Sequence, residues 1–516
     1  MNRTQAERFL REQAREIDFL ENTVRTLSWD MRVNLPRSSG EYRGNTIGFL
    51  SAEIFRRKTA PALEEALCIL EEETGTEDGN RGGKTAAVES ETDAEILRAM
   101  VRKFRREYRY LREVPPSLNS EYAAHNLKCE LVWQEARARN DYAMLKPWLE
   151  KEFGYLRQIA AAHGYGDDPL TGLMSAGEPG LTREKVDRLF EELRSFELPF
   201  LEKLKDAPHQ PEPLQLTGAF PEDRQRALCM EVLSTVGFDF DRGRLDVSAH
   251  PYTTANDPND IRFTTRYTKD SFVPALMSCM HEGGHGMHAQ NAMPALRYTT
   301  LENAPFDAIC ESQSRYTENI IGYSLPFWEY FLPLAEKYFP QLERISPQRF
   351  YESLNRLNFS PSRMKADELT YNLHIMIRYE LEKLLFDREI GFDELPEMWS
   401  RKYREYLGVV PQSDAEGVLQ DMHWSSGYIG YFQSYVMGNF YDGHWYAAMR
   451  RDVPDFYSQV REGNFSGVTG WLREHIQQYG GMYTPSELLK RVDGEELSAG
   501  HYIGYIREKY AAIYRL

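Results

Sequence analysis

The chain has 516 residues and a formal net charge of -17 at pH 7. This length suffices for a large buried core and for two lobes, and the acidic balance argues against nucleic acid or an anionic membrane as a partner. The five cysteines are scattered and include no CxxC pair, as in proteins of a reducing compartment. The N-terminus is a charged helix pattern, and no apolar run reaches the roughly 20 residues that a membrane span needs. The composition therefore predicts a soluble cytoplasmic protein.

Helical periodicity dominates the first half of the chain. Residues 4–73 predict long amphipathic helices with a break near residues 33–36. The segment 71–93 is polar, acidic and rich in glycine, which predicts a mobile surface loop. Further helices are expected over residues 94–113, 121–139, 142–163 and 182–206.

The pattern changes between residues 247 and 268. Ile261, Phe263 and Thr265 alternate along the chain, which predicts short β-strands. An exposed edge of such strands could pair with an extended peptide through backbone hydrogen bonds. The same alternation also fits a hairpin with a purely structural role, and periodicity alone leaves both interpretations open.

Residues 281–285 have the pattern HExxH. On a helix, His281 and His285 share one face, so both rings can bind one metal ion. Glu282 is close enough to bond a water held by that metal, so the motif predicts two zinc ligands and a general base. The alternative is a buried amphipathic helix whose two histidines have ordinary hydrogen-bond partners.

The flanks of this motif favour the metal site. Paired glycines at Gly283 and Gly284 cost a helix roughly 1 kcal/mol each relative to alanine, so another part of the protein is expected to approach the helix closely there. Asp270 or Ser271 is a candidate N-cap, and Pro274 fits the first turn.

A zinc peptidase of this kind needs a third protein ligand from a later helix, with the fourth position left for water. Residues 307–323 are predicted to be helical, and Glu311 is the candidate ligand in this helix. Its neighbours Ile309 and Cys310 are apolar, which gives mild support for burial.

Two later blocks also contain side chains that are candidates for binding or catalysis. Residues 362–387 predict one long helix with Arg363, Asp367 and His374 among apolar positions. Residues 417–439 are rich in glycine, tyrosine and histidine without a clean period. Such a stretch suits a loop and helix that line a cavity, where phenols and an imidazole can stabilise a developing oxyanion. The alternative is a cluster of aromatic side chains in the core.

Taken together, six blocks resemble, in the same order, the marks of the thermostable carboxypeptidase Taq family of zinc metallocarboxypeptidases. Those marks are HPF, DxRxT, HExxH, HES, (I/V)RxxAD and GxxQDxHW. Here they read HPY at 250–252, DIRFT at 260–264, HEGGH at 281–285, CES at 310–312, SRMKAD at 362–367 and GVLQDMHW at 417–424. The chain departs from the pattern at Cys310, at Ser362 and at Gln433, where the family has histidine, a branched apolar residue and proline.

The resemblance implies a mainly α fold similar to neurolysin and angiotensin-converting enzyme. Residues 1–516 would form a single catalytic domain, with two lobes flanking a deep central groove and a small β-sheet beside the zinc helix. It further implies a homodimer that removes single C-terminal residues from peptides with broad specificity but spares proline. The rival interpretations are an endo-acting oligopeptidase, with a groove open at both ends, and a catalytically impaired peptide-binding homologue.

The resemblance also implies a role for each residue of the site. It assigns Zn²⁺, or Co²⁺ in its place, to His281, His285 and Glu311, and the role of base to Glu282. It places His423 and Tyr435 at the oxyanion, and it assigns substrate binding to Arg363, Arg262, Tyr428 and His250. Arg363 is preferred over Arg262 for the terminal carboxylate, because arginine grips carboxylates with two parallel hydrogen bonds. The alternative role for Arg363 is an ion pair with Asp367 on the helix surface.

Cys310 directly precedes the candidate ligand Glu311. Consecutive helical side chains point about 100° apart, so the thiol is expected beside a ligand or against a neighbouring helix. The competing hypothesis is that the thiolate itself binds zinc.

Overall fold

The structure is a computed structural model that describes residues 1–74, 91–302 and 306–516. It is mainly helical, as predicted. The N-terminal helices are α1 (Arg3–Val33), α2 (Gly40–Lys58), α3 (Pro61–Thr74), α4 (Glu91–Glu113), α5 (Pro116–Arg139), α6 (Tyr142–Ala162), α7 (Pro169–Gly177), α8 (Arg183–Lys205) and α9 (Glu222–Val236). The later helices are α10 (Val273–Gln290), α11 (Asp307–Arg315), α12 (Leu325–Tyr338), α13 (Pro347–Leu354), α14 (Glu368–Phe386), α15 (Leu395–Leu407), α16 (Gln433–Asp452), α17 (Phe456–Arg461), α18 (Ser466–His475), α19 (Pro485–Val492) and α20 (Gly500–Tyr514).

The predicted N-terminal helices are confirmed, with a break after Val33. The predicted loop at 71–93 lies largely outside the described residues, and helices run up to Thr74 and start again at Glu91. Helices α1, α3 and α4 bury one apolar cluster of their own, together with side chains near residues 296–301. A second, larger cluster surrounds α10, α11, α14 and α16.

The predicted strands form a small sheet that packs against α10. Its strands are β1 (Gly243–Val247), β2 (Thr253–Asp257) and β3 (Asp260–Thr265), in the order β1-β3-β2. β3 pairs in parallel with β1 and antiparallel with β2. β2 is therefore an edge strand. β1 was not predicted, because only Leu245 in it is buried and no alternation marks it.

The two glycines of the HExxH motif lie where neighbouring helices cross α10. A Cβ atom at Gly283 would lie 2.6 Å from Cδ2 of Leu233 on α9. A Cβ atom at Gly284 would lie 2.6 Å from the backbone oxygen of Gln313 on α11. The expectation of a close approach is therefore confirmed, and it brings α11, with Glu311, within reach of the histidines.

The predicted ends of two helices were wrong. The N-cap of α10 is Phe272, and the hydroxyl of Ser271 accepts the N–H of Val273 (3.2 Å) from outside the helix. The helix predicted from residue 362 begins at Glu368 instead. Asp367 is its N-cap and accepts the N–H groups of residues 369 and 370 (both 3.0 Å), so the preceding residues turn away from the helix axis.

Helix α11 continues into a π-helical turn, Tyr316–Gly322. Such turns re-aim side chains and are frequent at functional sites. None of the described helices is long and apolar enough to cross a membrane.

Candidate active site

A cleft of about 1250 Å³ opens between α10 and the segments that contain residues 353–371 and 428–435. Its lining includes His281, His285 and Glu311 on one wall and Arg363 and Tyr435 on the other. We call these the metal wall and the facing wall. The HExxH motif therefore does not lie in a closed apolar core.

The three candidate ligands converge on one point of the metal wall. Nε2 of His281 lies 3.9 Å from Oε2 of Glu311, and Nε2 of His285 lies 3.7 Å from the same oxygen. Ligand bonds of about 2.1 Å in a tetrahedral site would place such atoms about 3.4 Å apart. Oε1 of Glu311 is buried without a hydrogen-bond partner in the described part of the chain. The donor set fits a divalent cation.

The other nitrogen of each histidine ring faces away from that point. Nδ1 of His281 lies 2.9 Å from Oε2 of Glu318, and Nδ1 of His285 lies 3.3 Å from Sγ of Cys310. Metal-binding histidines usually donate their second N–H in this way, which fixes the ring and frees the other nitrogen. Cys310 therefore lies beside a ligand, as expected from its place on the helix.

The protonation states of His281 and His285 depend on the charges of neighbouring side chains. Burial opposes protonation of His281, but the carboxylates of Glu311 and Glu318 raise its pKa to about 9. Burial and the neighbouring His281 keep the pKa of His285 well below its usual value. A cation at the convergence point would satisfy the same carboxylates without a proton on either ring.

Glu282 is buried, and burial raises its pKa to about 7, against the charge of His281. Its Oε2 accepts a hydrogen bond from Oγ1 of Thr253 (2.6 Å), at the start of β2. A carboxylate with a pKa near neutrality is suited to accept and return a proton at pH 7.

His423 contacts Tyr435 of the facing wall, with Nε2 of the histidine 3.2 Å from the phenol oxygen, but His423 itself is not among the residues that line the cleft. Burial, assisted by the positive charge of Arg363, lowers the pKa of His423 to about 3. Burial also raises the pKa of Tyr435. Both side chains are therefore neutral at pH 7 and can donate hydrogen bonds.

A buried carboxyl group holds the loop that carries His423. Glu382 on α14 accepts hydrogen bonds from Nε1 of Trp424 (2.7 Å) and from the backbone N–H of Gly430 (3.1 Å). These two contacts anchor the loop. The block predicted to line a cavity does so, through Tyr428, Tyr431 and Tyr435.

Arg363 pairs with Asp421, not with Asp367 as in the alternative prediction. Nε and one terminal nitrogen donate to Oδ1 of Asp421 (3.2 and 3.1 Å), and the other terminal nitrogen donates to the phenol of Tyr371 (2.9 Å). Asp421 also accepts from Arg378 (2.7 Å). Because a guanidinium has five N–H groups, Arg363 keeps donors available for a ligand in the cleft.

Two predicted substrate-binding residues lie elsewhere. Arg262 forms an ion pair with Asp260 (2.7 Å) and lies over the ring of Trp29. His250 is exposed. Neither belongs to the lining of the cleft, whereas Tyr428 does and is about half exposed.

Four contacts of the site were not predicted from the sequence: those of Glu318 with His281, of Thr253 with Glu282, and of Tyr371 and Asp421 with Arg363. Glu318 follows Glu311 by two helical turns, which could have signalled a shared face. Thr253 lies 29 residues from Glu282, so no helical spacing could have revealed that contact. Tyr371 follows Arg363 by eight residues, but helical spacing does not relate the two because the helix begins only at Glu368.

Comparison with known proteins gives a consistent result. The sequence model of the family described as "Carboxypeptidase Taq (M32) metallopeptidase" matches residues 9–510. The chain is 34% identical over 503 residues to "Carboxypeptidase 1" of Bacillus subtilis, and the match covers 97% of each chain. It is 33% identical over 509 residues to "Thermostable carboxypeptidase 1" of Thermus thermophilus, again over 97% of each chain.

Solved structures of other proteins also have a similar fold. An M32 carboxypeptidase from Deinococcus radiodurans superposes with a TM-score of 0.91 at 31% identity, over 99% of this chain and 100% of the other. A carboxypeptidase from Pyrococcus furiosus gives 0.91 at 31% identity, over 98% and 99% of the two chains. Sequence, fold and metal-binding geometry agree, and the chain belongs to the carboxypeptidase Taq (M32) family of metallopeptidases.

Proposed function

We propose that this metallocarboxypeptidase uses zinc to remove single C-terminal residues from peptides of varied sequence, sparing proline. One observation carries the proposal: a single cleft contains three metal-binding side chains, a buried carboxylate beside them and, on the facing wall, an arginine with free donors. An exopeptidase needs this combination, because it must recognise both the scissile bond and the terminal carboxylate.

His281, His285 and Glu311 would hold the metal. Two imidazoles and one carboxylate are a typical ligand set for catalytic zinc, and we expect Co²⁺ to substitute. When bound, the cation supplies Lewis-acid activation of a water and of the scissile carbonyl.

Glu282 is the general base of the proposed reaction. Its carboxylate takes a proton from the attacking water and returns it to the nitrogen of the leaving residue. The hydroxyl of Thr253, 2.6 Å from Oε2, holds the carboxylate in place during both transfers.

His423 and Tyr435 stabilise the negative charge that develops on the scissile carbonyl oxygen. Both are neutral donors in a half-buried position, where hydrogen bonds to a developing charge are stronger than in water. Tyr428 lies at the same wall and we expect it to contact the peptide.

Arg363 binds the terminal carboxylate of the peptide. Asp421 and Tyr371 hold the guanidinium rigidly, so little side-chain entropy is lost when a carboxylate takes up the remaining donors. On the strength of the family resemblance, we further propose that the enzyme accepts varied C-terminal residues but spares proline. We also propose that it is a cytoplasmic homodimer in which residues 1–516 form a single catalytic domain.

Mass spectrometry of a mixed peptide pool tests the function. We expect stepwise loss of C-terminal residues, inhibition by a chelator, recovery with Zn²⁺, and little action on the same peptides with amidated C-termini. Internal cleavage of amidated peptides at comparable rates would instead favour an endo-acting oligopeptidase. Metal binding without any cleavage would favour an impaired peptide-binding protein.

A further inference from the structure

Four exposed cations line the cleft without a partner of opposite charge among the described residues. They are Arg32, Arg266, Arg356 and Lys365. Cations nearby in the sequence do form ion pairs: Arg43 with Asp30 (2.6 Å) and Arg363 with Asp421 (3.1 Å). Because arginine and lysine are positively charged at pH 7, the cleft contains four charges that no carboxylate of the described chain neutralises.

The carboxyl groups of the cleft already have roles within the protein. Five acidic residues of the described chain line it, and all are buried or half-buried: Glu282, Glu311, Glu318, Asp367 and Glu368. The first three lie at the metal ligands or are one of them. Asp367 is the N-cap of α14, and Glu368 accepts a hydrogen bond from Nζ of Lys509 (2.6 Å). The exposed charges of the lining are therefore all positive.

The four cations come from separate parts of the fold. Cζ of Arg32 lies 5.1 Å from the centre of the ring of Tyr252, which directly precedes β2, and Arg266 directly follows β3. Arg356 and Lys365 instead belong to the segment 353–371. The positive charge is thus distributed around the cleft and is not confined to the proposed carboxylate site at Arg363.

The sign of this charge is opposite to that of the whole chain. The formal net charge of the protein is -17 at pH 7, so most of its surface repels an acidic peptide. A cleft whose exposed charges have one sign concentrates the field and attracts ligands of the other sign. The distribution of charge therefore directs acidic peptides to the cleft.

We propose that the cleft selects acidic peptides, whose carboxylate side chains upstream of the C-terminal residue bind the four exposed cations. The inference rests on the proposed carboxypeptidase function and adds a substrate class to it. Arg363 binds the terminal carboxylate, which leaves the other four cations for side chains of the peptide. Exposed ion pairs are screened by salt, so the preference falls as the ionic strength rises.

Two peptides of equal length test the proposal. Both end in leucine, and three glutamates precede this residue in one peptide and three glutamines in the other. Glutamine has nearly the shape of glutamate but no charge. For the wild-type protein at low ionic strength we expect kcat/KM to favour the glutamate peptide by about 3- to 20-fold, through a lower KM, as for two or three exposed ion pairs.

Salt and a fourfold variant should both remove this preference. In about 1 M salt the screening length falls to about 3 Å, and the ratio of the two kcat/KM values should approach one. The cleft variant should show a ratio close to one already at low ionic strength. It combines Arg32→Gln, Arg266→Gln, Arg356→Gln and Lys365→Gln.

A matched control variant separates the charge of the cleft from the charge of the whole protein. It changes four exposed cations that do not line the cleft, in the combination Arg98→Gln, Lys128→Gln, Arg188→Gln and Arg404→Gln. Both variants lose four positive charges, so their net charges are equal. We expect the control to keep the wild-type ratio. Zinc content and near-UV circular dichroism verify that each variant is folded.

The outcomes separate this inference from the proposed function. Equal kcat/KM values for the two peptides in the wild type, or a wild-type ratio in the cleft variant, would overturn the role of the cations and leave the carboxypeptidase activity intact. Loss of the preference in the control variant would also overturn it, because the net charge would then explain the selection. Absence of C-terminal release from both peptides would contradict the proposed function itself.

Discussion

The two walls of the cleft are built in different ways. The metal wall consists of two crossing helices, and its ligands come from positions four residues apart on α10 and from Glu311 on α11. The facing wall consists of loops and a helix start, which two buried carboxyl groups hold in place: Asp421 pairs with two arginines, and Glu382 accepts hydrogen bonds from Trp424 and Gly430 in the loop that follows His423. Helical geometry thus organises metal binding, whereas hydrogen bonds to buried carboxyl groups organise the residues that meet the substrate.

This difference predicts that variants of the two walls lose different properties. Loss of a side chain on the facing wall should reduce turnover without changing the metal content. Loss of a side chain that contacts a metal ligand should mainly reduce the affinity for the metal.

Glu282→Gln tests a residue beside the metal ligands that is assigned no metal contact. We expect a loss of turnover of about 10²–10⁴-fold, because a carboxamide cannot accept the proton of water. Metal content, measured by atomic emission, should stay at about one zinc per chain, while His281→Ala serves as a control that loses the metal. Wild-type activity in the variant would exclude Glu282 as the base.

Tyr435→Phe tests the facing wall. Removal of one oxyanion donor typically lowers kcat by about 10²–10³-fold, and the ring itself stays in place. We expect the change in kcat with little change in KM or in zinc affinity. A variant that lost zinc instead would show that the two walls are not independent.

Glu318→Gln weakens the contact with Nδ1 of His281, which is 2.9 Å long in the structure. Such partners typically contribute about 10- to 100-fold in metal affinity. We expect a rise of this size in the zinc dissociation constant, measured by competition with a chelating dye. At saturating zinc, turnover should recover most of its wild-type value, and failure to recover would place Glu318 in the reaction as well.

Cys310→Ala removes the corresponding contact with Nδ1 of His285. Sulfur is a weak hydrogen-bond acceptor, so we expect a smaller loss of zinc affinity than for Glu318→Gln, of about tenfold or less. X-ray absorption spectroscopy of the wild-type zinc protein provides an independent check. A sulfur scatterer at about 2.3 Å would contradict our placement of Cys310 beside the ligand.

Much of the metal wall was predictable because its signals are local. The spacing of His281 and His285 places them on one face of any helix, and Gly283 and Gly284 signalled the close approach of another segment. The facing wall gave no comparable signal. Arg363 was expected inside a long helix, but the side chain of Asp367 caps that helix, and the arginine pairs with Asp421, which is 58 residues away in sequence.

The sequence by itself determined the mainly helical class, short strands between residues 247 and 268, the HExxH helix and the order of the motif blocks, since each depends on residues that are near one another in the chain. Only the tertiary structure decided the partners of the site: Glu318 and Cys310 behind the histidines, Thr253 beside Glu282, and the contacts that hold Arg363. It also separated Arg363, which lines the cleft, from Arg262, which pairs with Asp260 on the sheet. The physical reason is that hydrogen bonds and ion pairs depend on distances of a few ångströms between side chains, and helix crossings and loop anchors, not sequence spacing, set those distances.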